Sequence, residues 1–129
     1  MTPSLRLHHR LLYFISFGVT AALIHLGIVF QLVSHVHLHP LIANIVGFLT
    51  AFNISYLGHK YFTFSQLEDK KQLSFPHFFI VAASAGTLNE SLYFLVLRFT
   101  SLNYLFALVL VLGLVSIYNY ITSRFWACR

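Results

Sequence analysis

Positions 11–59 carry no Lys, Arg, Asp or Glu. That stretch is about twice the ~20 residues needed to cross a bilayer. It breaks once, at Ser34-His35-Val36-His37-Leu38-His39-Pro40, and so divides into helices over about 11–33 and 41–62. Pro40 suits the first turn of the second helix, where its missing N–H is not needed. Residues 65–75 form the one polar linker, with Glu68, Asp69, Lys70 and Lys71. Pro76 then opens a third apolar run to about Leu97, residues 98–103 make a second short turn, and a fourth run covers about 104–123. The pattern predicts an all-α polytopic membrane protein, a single membrane domain over 1–129 with four transmembrane helices. The first run is too long for a cleavable signal peptide and lacks a small-residue cleavage site.

Composition strengthens that reading. The 129 residues are 58% hydrophobic and 9% charged, with mean hydropathy +0.78, against roughly 45–50% and about 25% for a soluble domain. So few charges cannot cover the surface of a small water-soluble globule, which excludes an ordinary soluble enzyme and a disordered tail. Eight Lys and Arg outnumber three Asp and Glu. The cations sit at the ends of the apolar runs rather than in a phosphate-tracking stripe, so nucleic acid is not an expected partner. Seven of the eight lie with the termini and linker, and only Arg98 falls in a hairpin turn. The positive-inside rule therefore puts both termini and the linker in the cytoplasm. Tyr13, Tyr61, Tyr104 and Trp126 fit interfacial belts. Cys128 is the single cysteine, which allows no internal disulfide.

Shifting the chain by 64 residues lays its halves on each other without a gap. Phe14 falls on Phe78, Ala21 on Ala85, His25 on Asn89, Ser55 on Asn119 and Lys60 on Arg124. The aromatic pairs Tyr61-Phe62 and Phe125-Trp126 also coincide. Each half holds two spans, so both enter the membrane from one side. This predicts two parallel-repeat helical hairpins rather than an inverted repeat.

Polar groups inside spans are costly and mark functional hypotheses. Glu90 is the one acid away from the linker, with Asn89 beside it and His25 at the equivalent place in the other half. These three suit sugar hydroxyls or a coupling proton, or else hold helices together. Lys60 and Arg124, with Arg10, are candidates for a phosphate, an Arg fork holding two oxygens where Lys supplies a point charge; the alternative is that they anchor the interface. Arg98 can receive the phosphate on the other side or simply sit in an exposed turn. Asn44 reads as a bridge between helices. Asn53 shares a face with Lys60 at i, i+7, and Asn119 lies near Arg124. The glycines, one or two to a span, read as sites of close helix contact. His35, His37 and His39 alternate in a turn without a second ligand cluster, so no metal site is expected. With no nucleophile–base pair, glycine-rich phosphate cradle or HExxH, neither catalysis nor a cofactor is expected.

Several local patterns resemble the GtrA-like family of small four-span membrane proteins. Its second span typically ends N-K-Y-F-T-F or N-R-R-W-T-F, and here the chain reads His59-Lys60-Tyr61-Phe62-Thr63-Phe64. Its fourth span typically ends N-x-x-x-S-R-F-W, matched by Asn119 followed by Ser123-Arg124-Phe125-Trp126. Phe14-x-x-x-Gly18 and Leu41-Ile42-Ala43-Asn44 are similar too. The chain departs from the family at Tyr13 (usually Arg), His25 (often Asp), His59 (usually Asn) and Cys128 (usually Phe). The resemblance implies flipping of a polyprenyl-phosphate-linked monosaccharide, such as undecaprenyl-phosphate glucose, across a bacterial inner membrane. A glycosyltransferase then uses it to modify O-antigen or another envelope polysaccharide. The polar residues above suit that lipid, and four spans enclose so little volume that a homodimer is expected. Two other classes remain: a small proton-coupled exporter of hydrophobic cations using Glu90, and a non-catalytic membrane scaffold for a glycosyltransferase.

Overall fold

Backbone in lipid has no water to bond with, so long apolar runs satisfy their own N–H and C=O groups as helices. The computed structural model describes residues 6–129. It has four long helices: α1 Leu7–Ser34, α2 Pro40–Gly58, α3 Phe75–Phe99 and α4 Tyr104–Thr122. α2 and α4 each continue into a five-residue π-helical turn, His59–Thr63 and Ser123–Ala127. All four are long and apolar enough to cross a membrane.

The boundaries have local causes. Pro40 opens α2, and the His39 ring Nδ1 accepts the Leu41 N–H at 3.1 Å. At α4 the Asn103 side chain accepts the Leu105 N–H at 2.9 Å. Each cap satisfies one of the orphan donors of a helix start. The π turns close with Phe64 N–H to His59 O at 2.8 Å and Cys128 N–H to Ser123 O at 3.0 Å. The caps and both ends of α2, α4 and their π turns recur at the 64-residue spacing of the sequence shift.

α1 packs most extensively on α2, and α3 on α4; α1 and α4 meet only along a thin seam. One apolar core, including Val29, Ala43, Tyr93, Leu108 and Val111, lies toward the turns joining α1 to α2 and α3 to α4. This is the hairpin end. The other core joins Phe14 and Phe78 to Phe64, Leu67 and Leu73 of the linker, and marks the linker end. There the linker runs against the C-terminus: Gln72 and Arg129 exchange backbone hydrogen bonds at 3.0 and 2.8 Å, and Ser74 N–H donates to Ala127 O at 3.0 Å. Leu73 thereby lies opposite Cys128 in an isolated antiparallel bridge.

The glycines divide into two kinds. A Cβ on Gly47 would lie 2.7 Å from the His25 ring and 3.1 Å from the His25 carbonyl oxygen, and one on Gly86 would lie 2.9 Å from the Phe48 ring. These positions, with Gly58 against Phe17, permit close approach. Gly18, Gly27 and Gly113 have nothing within 4 Å of such a Cβ, so the expectation of close contact is corrected for them. Gly47→Ala is expected to lower stability by about 1–3 kcal/mol, because the His25 carbonyl cannot rotate away. Gly27→Ala is expected to raise it by up to about 1 kcal/mol through helix propensity. Thermal unfolding of the purified protein in detergent checks both.

A candidate polar cavity between the four helices

Toward the hairpin end, amides and an imidazole meet across three helices. His25 Nε2 on α1 lies 2.6 Å from Asn44 Oδ1 on α2. The Asn44 amide donates to Asn89 Oδ1 at 3.0 Å and to Glu90 Oε1 at 3.3 Å, both on α3. His25, Asn44 and Asn89 are buried. Asn44 is thus the hub, carrying the bridging role its place inside a span suggests.

Between this network and the linker end lies a cavity of about 340 Å³. His25 and Asn89 form part of its wall, Ser55, His59 and Asn119 supply further polar groups, and the remaining wall is mainly apolar. Glu90 is not on the wall and touches the site through Asn44. Ile15 and Val19 of α1 and Val109 and Ser116 of α4 also line the cavity and are exposed. The cavity therefore opens sideways through the α1–α4 seam, with Gly18 and Gly113 at the open space.

Four rings close its linker end. Phe14 stacks on His59 at 4.6 Å and meets Tyr120 edge-on at 4.9 Å, while Phe64 lies 6.0 Å from His59 and 5.8 Å from Tyr120. His59 is held by Thr63 Oγ1 at 2.9 Å. The His59 ring thereby completes an aromatic floor. π turns often mark functional sites, and here one carries His59 and the other Arg124.

Beyond the floor two buried guanidinium groups share one carboxylate. Arg10 is 5% exposed and Arg124 6%. The Arg10 Nη2 bonds Glu68 Oε2, and Arg124 Nη2 bonds Glu68 Oε1 at 2.8 Å and Asp69 Oδ2 at 3.1 Å. The Arg124 Nε is buried and has no hydrogen-bond partner among the described residues. The Glu68 backbone N–H, then Arg124 and Arg10, hold the Glu68 carboxyl below its ordinary range. A carboxyl pKa lowered on folding favours the folded form above the ordinary value and ceases to do so as pH falls through the lowered one. Linker docking is accordingly expected to be complete at neutral pH and to fail only in acid, below the ordinary carboxylate range. Amide hydrogen exchange at Gln72, Ser74 and Arg129 measures it.

The remaining expected site residues are placed apart. Lys60 is partly exposed; its ammonium donates to the Tyr56 hydroxyl at 3.1 Å and lies over the Tyr56 and Tyr61 rings at 5.6 and 5.9 Å. Among the described contacts none joins it to Arg124. Asn53 faces outward, while Asn119 lines the cavity and accepts from Ser123 Oγ at 3.4 Å. Arg98 is exposed. Among the described residues no three His, Cys, Asp or Glu side chains gather as metal ligands. The linker acids are site residues that the charge run concealed. The available signal was their number: two arginines at the ends of apolar runs need counter-charges, and Glu68 and Asp69 are the only acids outside the spans.

The family model described as GtrA/DPMS, transmembrane domain, matches residues 13–128, nearly the whole chain. No curated protein and no solved structure matches it.

Proposed function

The chain belongs to the GtrA/DPMS transmembrane-domain family, multi-pass membrane proteins linked to lipid-linked sugar handling, and from that premise we propose that it flips a polyprenyl-phosphate-linked monosaccharide between leaflets. The observation that carries the reading is the cavity: polar groups inside a membrane bundle, reached sideways from the lipid. Its 340 Å³ falls at the small end of ligand sites, which run from about 300 to 1,000 Å³. That suits one sugar ring rather than an oligosaccharide.

The headgroup slides between α1 and α4 while the polyprenyl tail stays in lipid. Sugar hydroxyls lose water on entering, a cost offset only by replacement hydrogen bonds. His25, Asn89, Ser55 and Asn119 supply them, with Asn44 and Glu90 behind holding the first two in place. Arg124 and Arg10 neutralise the phosphate at the linker end, and Lys60 draws the anionic head to the interface. The linker end faces the cytoplasm of a bacterial inner membrane, and the released lipid feeds a glycosyltransferase of an envelope polysaccharide. A homodimer belongs to the same proposal. No covalent bond changes, so the protein acts as a transporter rather than an enzyme.

Purified protein in liposomes with fluorescent undecaprenyl-phosphate glucose tests this. Wild type is expected to equalise the leaflets. Gly18→Leu with Gly113→Leu fills open space and is expected to stop flipping while the fold stays intact. An unchanged leaflet distribution with the wild-type protein ends the reading. Polysaccharide modification that survives the double variant in cells favours a scaffold instead.

A further inference from the structure

The linker seals the cavity from below, and its seal is tied by charge. Phe64 completes the aromatic floor, Leu67 and Leu73 are buried in the same core, and Glu68 bridges Arg10 of α1 to Arg124 beyond α4. The two arginines come from opposite halves of the chain, and one carboxylate joins them. Asp69 adds a second linker carboxylate on Arg124 at 3.1 Å, but among the described residues it reaches no cation of α1; the linker backbone meets the C-terminus through the short pairing at Gln72, Ser74 and Arg129.

The tie is asymmetric. Both guanidinium groups are buried, whereas the Glu68 side chain is 55% exposed. Arg124 also keeps a buried Nε without a partner among the described residues, so its fork is only partly used. Here Glu68 and Asp69 both bond Arg124 through Nη2, whereas a phosphate seated bidentately on the same edge can take Nη2 and Nε together. The anion now on the arginines is therefore one that a phosphate can replace.

We propose that Glu68 is a resident anion which an incoming phosphate monoester or diester displaces from Arg10 and Arg124, and that this exchange unlatches the linker and opens the linker end of the cavity. The ligand class is a phosphate oxyanion. Its identity as a lipid headgroup rests on the flippase reading, whereas the exchange itself does not. Without ligand the latch is shut, and access is from the lipid alone. With phosphate seated, the floor loses the charge that holds Phe64 and Leu67 in place. Differential binding of the anion to the open form then drives the change.

The chain carries its own reporter. Cys128 is the only cysteine, is 3% exposed, and lies opposite Leu73 under the docked linker. Burial pushes its thiol up to about 11, so alkylation of the docked form is slow. Full-length protein in nanodiscs is treated with N-ethylmaleimide at fixed pH. Undecaprenyl-phosphate glucose is expected to raise the Cys128 labelling rate about tenfold through local opening, and undecaprenol, which lacks phosphate, is expected to leave it unchanged. Inorganic phosphate in a third arm separates the sources: an equal rise identifies free phosphate as a sufficient ligand, and no rise identifies the lipid headgroup. Glu68→Gln is expected to raise basal labelling by a similar factor and to remove the response to ligand.

Wild-type labelling that ignores both phosphate sources, or that responds equally to undecaprenol, overturns the latch; this arm needs no variant to fold. So does a Glu68→Gln protein labelled as slowly as wild type. Flipping is followed in liposomes alongside. Labelling that rises without flipping upholds the latch and removes the flippase reading. Flipping with Cys128 protected throughout does the reverse.

Discussion

Asn44→Leu is expected to lower the unfolding free energy by about 2–4 kcal/mol, from two or three lost hydrogen bonds across helices. Leucine keeps the branched shape of asparagine and is larger, so no void is left and the loss comes from orphaned polarity with some crowding. Asn44 is 2% exposed and bonds His25, Asn89 and Glu90. Removing it strands an imidazole nitrogen and an amide oxygen, both buried. In lipid such pairs average less than in water, because helices separated within the bilayer also find partners; the sum remains large because one side chain serves three. Titration with SDS, followed by helical circular dichroism, measures the change. Asn53→Leu is the matched control. Asn53 faces outward and has no hydrogen-bond partner among the described residues, so its loss is expected to be neutral or stabilising. Equal costs at the two positions would show that the network does not hold α1, α2 and α3 together.

The contrast between these asparagines also marks how much of the fold a sequence carries. The four helices were legible because lipid permits only hydrogen-bonded backbone, and a charge-free run of the right length has one solution. The breaks at Pro40 and near Asn103 were legible for the same local reasons that cap the helices. An amide inside a span announces a partner, but not which one. That Asn44 meets His25 and Asn89 depends on how α1, α2 and α3 cross, which no spacing within one helix encodes. The arginine clamp was harder still. Glu68 is 58 residues from Arg10 and 56 from Arg124, and in sequence it belongs to a run of four charges that looks like a solvated turn. The cavity mouth was hidden by its own residues. Gly18 and Gly113 carry the signature of close packing, and only the thin α1–α4 seam turns them into open space.

Arg124→Gln is expected to slow flipping about 100-fold at subsaturating lipid, and Lys60→Gln by less than about threefold. The 64-residue shift makes the two cations equivalent, but their surroundings do not. The Arg124 guanidinium is buried, and one buried nitrogen is without a partner among the described residues. A hydrogen bond to a charged group contributes about 1.5–3 kcal/mol. Two such bonds to a phosphate give at least about 3 kcal/mol, and each 1.4 kcal/mol is tenfold, hence the 100-fold. Lys60 is partly exposed, is bonded to Tyr56 and lies over aromatic rings. Its charge is screened at the interface and acts there on encounter more than on affinity. Arg124→Lys separates charge from geometry. A point charge in place of the fork is expected to preserve linker docking on Glu68 while recovering only part of the flipping rate. If Lys60→Gln and Arg124→Gln prove equally damaging, the phosphate is held between the two halves as the repeat implies, and the asymmetry of the two sites carries no function.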